Sequence, residues 1–399
     1  MATTVPIGPY HPLQEEPEHY LLTVEEEEVL DVDVQIGYNH RGIEKLSEKK
    51  TFNQVPFLVE RVCGICSHSH PYAYCLAVED CGGIEVPERA KYIRTLIGEL
   101  ERIHSHLLWA GLAGHFIGYD TVFMWAWKYR EDVLDILETL TGNRNAYAMM
   151  KPGGVQREID PGQLEEVKPT LDTLKEKSEM LYDAVLDDPV MKARLEGVGI
   201  LAEEDARAYG ALGPTVRASG IPIDVRTDYP YGVYDDLDWN VITREAGDVL
   251  ARVEVRLLET LESIKMVEQV IEEIPEDGPI DSEPEKVPPG EGIGNYEAPR
   301  GECFHYVESD GTNRPVRHKI RAPTFMNFPT YKATCIGETV ADATIILASV
   351  DPCYSCTERA ISLKGREGVD LMKASHEKTE ELKEELGLKK SPLEEVLDE

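Results

Sequence analysis

Four of the eight cysteines in this 399-residue chain form two C-x-x-C pairs, Cys63/Cys66 and Cys353/Cys356. A C-x-x-C pair presents two sulfur atoms from one tight turn, so both sulfurs can bind the same ion. Together the two pairs supply four thiolates, and the chemistry that they predict is metal binding. The other cysteines are predicted to be small buried core residues; they are Cys75, Cys81, Cys303 and Cys335.

The spacing of the pairs leaves the kind of metal site open. Residues 67–352 lie between them, whereas the paired ligands of a zinc ribbon are usually about 15–20 residues apart. The chain has no C-x-x-C-x-x-C run, so the usual local motif of a ferredoxin-like iron–sulfur cluster is absent from the sequence. Spacing alone therefore allows a structural zinc, a catalytic or redox metal, or unrelated buried thiols.

Charged and hydrogen-bonding residues flank both pairs. Arg61 and His70 flank the first pair, and Asp351 and Arg359 flank the second. Such groups can orient metal-bound thiolates and set their basicity. This context favours a metal with a chemical role over a purely structural one.

Long helices are expected to position these residues. Apolar residues recur at spacings of three and four, which is typical of amphipathic helices. The helices that this pattern predicts are 87–113, 121–140, 163–184, 241–274 and 339–348. Long helices with apolar faces normally pack together as a bundle, so the core is predicted to be helical.

Strands are predicted at the N-terminus and before the second pair. Residues 20–24 and 29–36 flank an acidic turn, and residues 303–308 and 316–322 form a hairpin-like segment. Residues 274–294, rich in Pro, Gly and Glu, are predicted to be a loop. The fold class is therefore α+β, mainly α, with a long-helix bundle core and a small N-terminal β-structure.

Three segments follow from this pattern. We expect a β-rich segment over 1–50, a helical catalytic core with both pairs over 51–359, and a charged C-terminal extension over 360–399. The formal charge of −34 argues against nucleic acid as a partner. No signal peptide and no window of about 20 apolar residues is evident, so a cytoplasmic location is expected.

The two pairs lie in motifs that resemble the signature motifs of the [NiFe]-hydrogenase large subunit. The first is Arg-x-Cys-Gly-x-Cys-x-x-x-His over residues 61–70. The second is Asp-Pro-Cys-x-x-Cys-x-x-Arg over residues 351–359. Other blocks resemble the group 4, energy-converting branch, which is related to the quinone-site subunit of respiratory complex I. They are GPYHP (8–12), GYNHRGIEKL (37–46), GELERIHSH (98–106), RASG (217–220), EAPRGE (297–302) and KIRAPTF (319–325).

This resemblance implies a Ni–Fe centre held by the four cysteines. Cys63 and Cys353 would be terminal ligands of Ni, and Cys66 and Cys356 would bridge Ni and Fe. The iron of such enzymes carries CO and cyanide ligands that no side chain supplies. The resemblance therefore also implies Ni and Fe insertion proteins as maturation partners.

The resemblance also assigns roles around the metals. Arg300 would lie beside them as a fixed cation, with Asp351 orienting it. Cys353 would act as the base in hydrogen cleavage, and Glu16 would relay the proton. His70 would donate a hydrogen bond to a bridging sulfur.

The implied activity is 2H⁺ + 2e⁻ ⇌ H₂ in a membrane complex. The implied partners are a small subunit with a [4Fe–4S] cluster, a ferredoxin-type electron carrier acting through other subunits, and integral membrane subunits that move ions. The chain would lie on the cytoplasmic face of the cell membrane as a peripheral subunit. A maturation protease would remove residues 360–399 by cutting after Arg359.

Two other functions remain possible at this point. A quinone-reducing core like that of complex I would use the same fold without Ni. A zinc-stapled assembly scaffold would bind metal without catalysis. The metal content of the protein distinguishes these possibilities.

Overall fold

The computed structural model describes residues 2–11, 14, 16–284 and 286–357. Arg359 and the predicted extension 360–399 lie outside the described residues. The strands are β1 (Thr3–Ile7), β2 (His19–Glu25), β3 (Glu28–Gln35), β4 (Met150–Lys151), β5 (Gly154–Val155), β6 (Gly290–Ala298), β7 (Gly301–Ser309) and β8 (Pro315–Arg321). The helices are α1 (Ile43–Ser47), α2 (Val55–Val59), α3 (Ser69–Gly82), α4 (Glu88–Phe116), α5 (Asp120–Thr141), α6 (Pro161–Asp187), α7 (Pro189–Leu195), α8 (Glu203–Tyr209), α9 (Gly213–Arg217), α10 (Val225–Asp228), α11 (Val249–Glu273), α12 (Pro323–Asn327), α13 (Tyr331–Thr334) and α14 (Val340–Ser349).

The long helices pack as the predicted bundle. Helix α4 packs against α5 and α11, and α6 packs against the same two helices. Helix α4 is buried along almost its whole length because it also contacts α14 and β5. Its start directly after Pro87 follows from the fixed φ of proline, which suits the residues that open a helix.

The N-terminal β-structure is also confirmed. Strands β1, β2 and β3 form an antiparallel sheet, with β2 in the middle. Alternate residues of β2 are buried, as expected of a sheet with one face on the core. Together with the helical bundle, this sheet confirms the predicted α+β, mainly α, fold class.

A second antiparallel sheet, β6-β7-β8, lies against helix α3. The contact is close because β6 carries glycines where it crosses the helix. A β-carbon at Gly294 would lie 1.9 Å from the main-chain oxygen of Ala73, and one at Gly292 would lie 2.1 Å from that of Ala77. Only glycine lets the two backbones approach this closely.

Two predicted boundaries are wrong. The helix predicted from residue 241 begins at Val249, because Gly247 has a φ of +67° and the Asp248 carboxylate caps the helix by accepting from the Ala251 N–H at 2.7 Å. The loop predicted to reach residue 294 ends where β6 begins at Gly290, and its glycines hid the strand pattern. None of the helices described above combines the length and the apolar composition that a membrane span requires.

Candidate metal centre

The four paired cysteines meet at one buried point. Their sulfur atoms all lie within 4.8 Å of one another, and each residue is buried. The Cys353 sulfur lies 3.1 Å from that of Cys63 and 2.7 Å from that of Cys356. Four sulfurs at these separations can bind the same ion, so the structure joins motifs from the two ends of the described chain.

Each pair is placed by the helix next to it. The first pair lies between α2 and α3, and the buried carboxylate of Glu101 accepts hydrogen bonds from the main-chain N–H groups of His68 and Ser69, at 2.5 and 3.0 Å, where α3 begins. These are donors that a helix leaves unsatisfied at its start. The second pair follows the end of α14, whose Val340–Ser349 segment is mostly buried.

Arg41 connects the two pairs. Its guanidinium donates to the main-chain oxygens of Arg61 at 2.8 Å and Val62 at 2.6 Å, directly before Cys63. It also donates to the main-chain oxygen of Ser355 at 3.4 Å, between the cysteines of the second pair. Sequence analysis placed Arg41 only within a matching block and missed this role.

Burial and mutual hydrogen bonding shift the pKa values of the four thiols in different directions. Hydrogen bonds from the sulfurs of Cys353 and Cys356 lower the pKa of the Cys63 thiol well below its usual value. Burial raises the pKa of the Cys356 thiol well above that value. A bound cation stabilises the deprotonated form of each of the four thiols.

Arg300 lies beside the sulfurs and is held there by Asp351. Its Nη2 lies 2.6 Å from Asp351 Oδ1, and its Nε donates to the main-chain oxygen of the same residue at 2.8 Å. Its Nη1 donates to Ser105 Oγ at 3.2 Å and lies 3.9 Å from the Cys66 sulfur. Both side chains are buried, so this ion pair is shielded from solvent.

The backbone of Asp351 adopts an energetically unfavourable conformation. Its φ is +58°, in the left-handed region, which costs a residue other than glycine about 1–3 kcal/mol. The bonds from Arg300 to both its carboxylate and its main-chain oxygen compensate for that strain. The arginine therefore fixes the turn that leads into Cys353.

His70 reaches the sulfur group from the first turn of α3. Its Nε2 lies 3.2 Å from the Cys356 sulfur, and its Nδ1 lies 3.1 Å from Nε2 of His305. Burial lowers the pKa of His70 to about 4 in the absence of a metal. The contact links the motif of the first pair to a sulfur of the second.

Glu16 lies over the second pair. Its carboxylate accepts hydrogen bonds from the main-chain N–H of Ser355 at 2.7 Å and from the Ser355 hydroxyl. Burial, followed by the negative charge of Cys63, raises the pKa of this carboxyl group. An N-terminal glutamate is thus in contact with the loop that carries Cys353 and Cys356.

Other residues depart from expectation. Arg61 was expected to interact with the thiolates, but its guanidinium lies mostly exposed and pairs with Glu60 and the main-chain oxygen of Phe57. Cys303 is buried as predicted, yet it is more than a packing residue because its sulfur lies 3.4 Å from His70 Nδ1. Cys81 lies at the edge of the core and is only half-buried.

The donor set suits a soft metal centre. Thiolates favour soft metals, including Ni and low-spin Fe, and the site adds a buried cation and an imidazole within reach of the sulfurs. A cation bound among the four sulfurs would balance the negative charge of four buried thiolates, which is costly to leave unpaired in the interior. The described residues therefore fit a resident metal centre.

Comparison with known proteins agrees with this fold. The family model for the respiratory-chain NADH dehydrogenase 49 Kd subunit matches residues 117–287 and 280–359, and that for nickel-dependent hydrogenase matches residues 41–112. The chain is 44% identical to the membrane-bound hydrogenase subunit alpha of Pyrococcus furiosus, over 95% of this chain and 93% of that protein. It is 40% identical to the carbon monoxide-induced hydrogenase of Rhodospirillum rubrum, over 89% of this chain and 99% of that protein.

Relatives without a hydrogenase name also match. The chain is 37% identical to an NADH-quinone oxidoreductase subunit of Koribacter versatilis, over 86% of this chain and 93% of that protein. A chain from the structure of the membrane-bound sulfane sulfur reductase, an archaeal respiratory membrane complex, superposes with a TM-score of 0.86 at 33% identity, covering 90% of this chain and 98% of that one.

The fold and the matches place the protein in a family of oxidoreductase subunits. More narrowly, the chain belongs to the family of group 4, energy-converting [NiFe]-hydrogenase large subunits, which is related to the quinone-site subunit of complex I.

Proposed function

We propose that this chain is the catalytic large subunit of an energy-converting [NiFe] hydrogenase, which interconverts protons and hydrogen. The observation that carries this proposal is the buried group of four cysteine sulfurs within 4.8 Å. Cys63, Cys66, Cys353 and Cys356 would hold Ni together with an Fe that carries CO and cyanide ligands. This centre supplies the two-electron chemistry of hydrogen when it is bound.

Arg300 would place a positive charge beside the metal centre, and Asp351 would orient it. The Arg300 guanidinium is a fixed cation whose direction is set by two bonds to Asp351. A preorganised cation in a buried site stabilises developing negative charge without reorganising during the reaction. The 3.9 Å between Arg300 Nη1 and the Cys66 sulfur supports this placement.

The proton would move between Cys353 and Glu16. Cys353 would be the base in the cleavage of hydrogen, and Glu16 would carry the proton away. Two observations support Glu16: its bond to Ser355 within the second pair, and a pKa that burial raises toward the pH at which a carboxyl group can shuttle protons. His70 would tune the Cys356 sulfur from the opposite side.

Electrons have to come from other subunits. We propose a small subunit with a [4Fe–4S] cluster, a ferredoxin-type carrier acting through further subunits, and integral membrane subunits that translocate ions. The names of the relatives support assembly in a membrane complex. The chain would be peripheral, on the cytoplasmic face of the membrane, and would need Ni and Fe insertion proteins and a protease to mature.

Two other functions would use the same structure. A quinone-reducing core like that of complex I is favoured by the 49 Kd family match, but it has no use for four converging thiolates. A zinc-stapled scaffold would use the thiolates but has no need of the buried Arg300–Asp351 pair beside them.

Metal analysis of the purified complex distinguishes the three functions. We expect about one Ni and one site Fe per chain beyond the iron of the clusters, together with hydrogen evolution from reduced viologen. Zinc in place of Ni would support the scaffold. No metal at the four cysteines, with quinone reduction in place of hydrogen turnover, would support the complex I-like core.

A further inference from the structure

A row of buried histidines leads away from the Cys356 sulfur. The three rings follow one another head to tail, each with Nε2 toward the sulfur group and Nδ1 away from it. His70 Nδ1 lies 3.1 Å from His305 Nε2, and His305 Nδ1 lies 2.9 Å from His318 Nε2. The row ends where His318 Nδ1 lies 2.8 Å from the hydroxyl of Ser47.

The outer end of the row fixes the direction of its hydrogen bonds. The Ser47 hydroxyl donates to the main-chain oxygen of Glu44 at 2.7 Å, and a carbonyl oxygen can only accept. Ser47 therefore accepts from His318 Nδ1–H, which leaves the His318 Nε2 as an acceptor. That nitrogen accepts from His305 Nδ1–H, so neutral His305 has a lone pair on Nε2.

At the inner end of the row, beside the Cys356 sulfur, the hydrogen bonds run in the opposite direction. This step rests on the proposed function. If Cys356 binds the metal centre, its sulfur is a thiolate without a proton, so His70 would donate to it from Nε2–H across the 3.2 Å contact. Neutral His70 then has a lone pair on Nδ1. Two nitrogen lone pairs, on His70 and His305, thus face each other at 3.1 Å in the protein interior.

A third ligand atom lies beside these nitrogens. The Cys303 sulfur is 3.4 Å from His70 Nδ1, and the three atoms all lie within 4.8 Å of one another. Two imidazoles and a thiolate around one ion, with bonds of about 2.0–2.1 Å to nitrogen and about 2.3 Å to sulfur, would bring these atoms to about 3.3–3.6 Å. Burial raises the pKa of the Cys303 thiol, so without a metal its S–H can donate to His70 Nδ1 but not to His305 Nε2. A cation bound to all three atoms would satisfy both nitrogens and release the thiol proton to solvent, and the resulting thiolate would offset the charge of the cation.

We propose that His70, Cys303 and His305 form a second metal site, for a d¹⁰ ion such as Zn²⁺ or Cu⁺, next to the four-cysteine centre. Its surroundings are those usual for metal-bound histidines, which donate their other N–H to a fixed acceptor. His305 donates to His318, and His70 donates to the Cys356 sulfur. The ion would hold His70 as a donor to that thiolate.

Metal content of the purified membrane complex tests the second site. The variants are Cys303→Ala and the matched control Cys335→Ala, which also removes a fully buried thiol but lies outside both metal groups of the described residues. We expect wild type and Cys335→Ala to contain about one more Zn or Cu per chain than Cys303→Ala, with Ni and Fe equal in all three. Equal Zn and Cu in wild type and Cys303→Ala would overturn the site.

X-ray absorption spectroscopy of the extra metal gives an independent test. The energy of the edge distinguishes Zn from Cu, and the fine structure beyond it gives the ligand types and bond lengths. We expect one sulfur at about 2.3 Å and two nitrogens at about 2.0–2.1 Å. His305→Gln should lose this spectrum while keeping Ni and Fe. A wild-type spectrum with sulfur ligands only, or with oxygen ligands only, would refute the site even if Cys303→Ala failed to assemble. If the wild-type complex contained no Ni and no Fe at the four cysteines, the proposed function would be refuted instead.

Discussion

The guanidinium of Arg300 holds Asp351 at two points, its carboxylate at 2.6 Å and its main-chain oxygen at 2.8 Å. Arg300 lies in the turn between β6 and β7, whereas Asp351 opens the second cysteine motif. The pair therefore connects the sheet beside α3 to the loop that carries half of the metal ligands. It also turns one guanidinium edge toward the sulfurs.

Replacing Arg300 by Lys should leave Ni and Fe bound but lower hydrogen turnover by about 100-fold, because an ammonium group cannot make both bonds to Asp351 and also reach the sulfurs. The measurement is turnover together with metal content. Arg321→Lys is the control, since it alters an arginine bound to Glu302 outside the site. Equal turnover in wild type and Arg300→Lys would show that Arg300 is remote from the chemistry.

Replacing Cys63, Cys66, Cys353 or Cys356 singly by Ser should abolish hydrogen turnover and lower the Ni content. Each sulfur occupies a ligand position, and a serine hydroxyl is a poor ligand for a soft metal. Cys75→Ser, at another fully buried cysteine, should retain Ni. A variant of the four with wild-type Ni and activity would remove that residue from the site.

Replacing Glu16 by Gln should slow exchange between D₂ and water by about 100-fold while Ni and Fe stay bound, since an amide cannot carry the proton. The Gln side chain can still accept one bond from Ser355, so the loop should stay in place. Glu15→Gln is the neighbouring control and should exchange at the wild-type rate. If Glu15→Gln is slow and Glu16→Gln is not, the proton passes through the other carboxylate.

Replacing Gly294 by Ala should destabilise the protein by about 3 kcal/mol or more, because the new β-carbon would overlap the main-chain oxygen of Ala73. Gly290→Ala on the same strand is the control, as its β-carbon would meet only ordinary contacts at 3.6 Å. Thermal unfolding of the complex checks the difference. Equal melting temperatures would mean that β6 can move away from α3 at little cost.

The sequence predicted the long helices and the metal ligands for different reasons. In helices α4, α5 and α6, apolar residues recur every three to four positions, so this helical pattern is visible in the sequence alone. The paired cysteines are specified by residue type and close spacing. Their approach across residues 67–352 came from the family resemblance, since no local pattern encodes it.

Other elements around the site could not be predicted, because no sequence pattern marks them. Helix α3 is buried on nearly all sides, so it has no polar face to mark its period. Strand β6 carries glycines at the contact with α3, which is typical of a loop by composition. His305 and His318 face the site only because β7 and β8 pair in a register that places His305 opposite Ile320 and His318 opposite Val307. Such register depends on tertiary packing.

The last prediction concerns the end of the chain. Precursors in the family that the motifs resemble carry an extension that is removed after the residue ending the second motif, which here is Arg359. Cys356 and Thr357 are already buried, so the described chain enters the interior just before that residue. Residues 360–399 are rich in Lys and Glu, and charged residues are costly to bury beside a metal centre. We therefore expect intact-mass measurement of the subunit from an active complex to give a chain ending at Arg359, and metal-free subunit to give the full length. An active subunit that still ends at Glu399 would show that the site closes without cleavage.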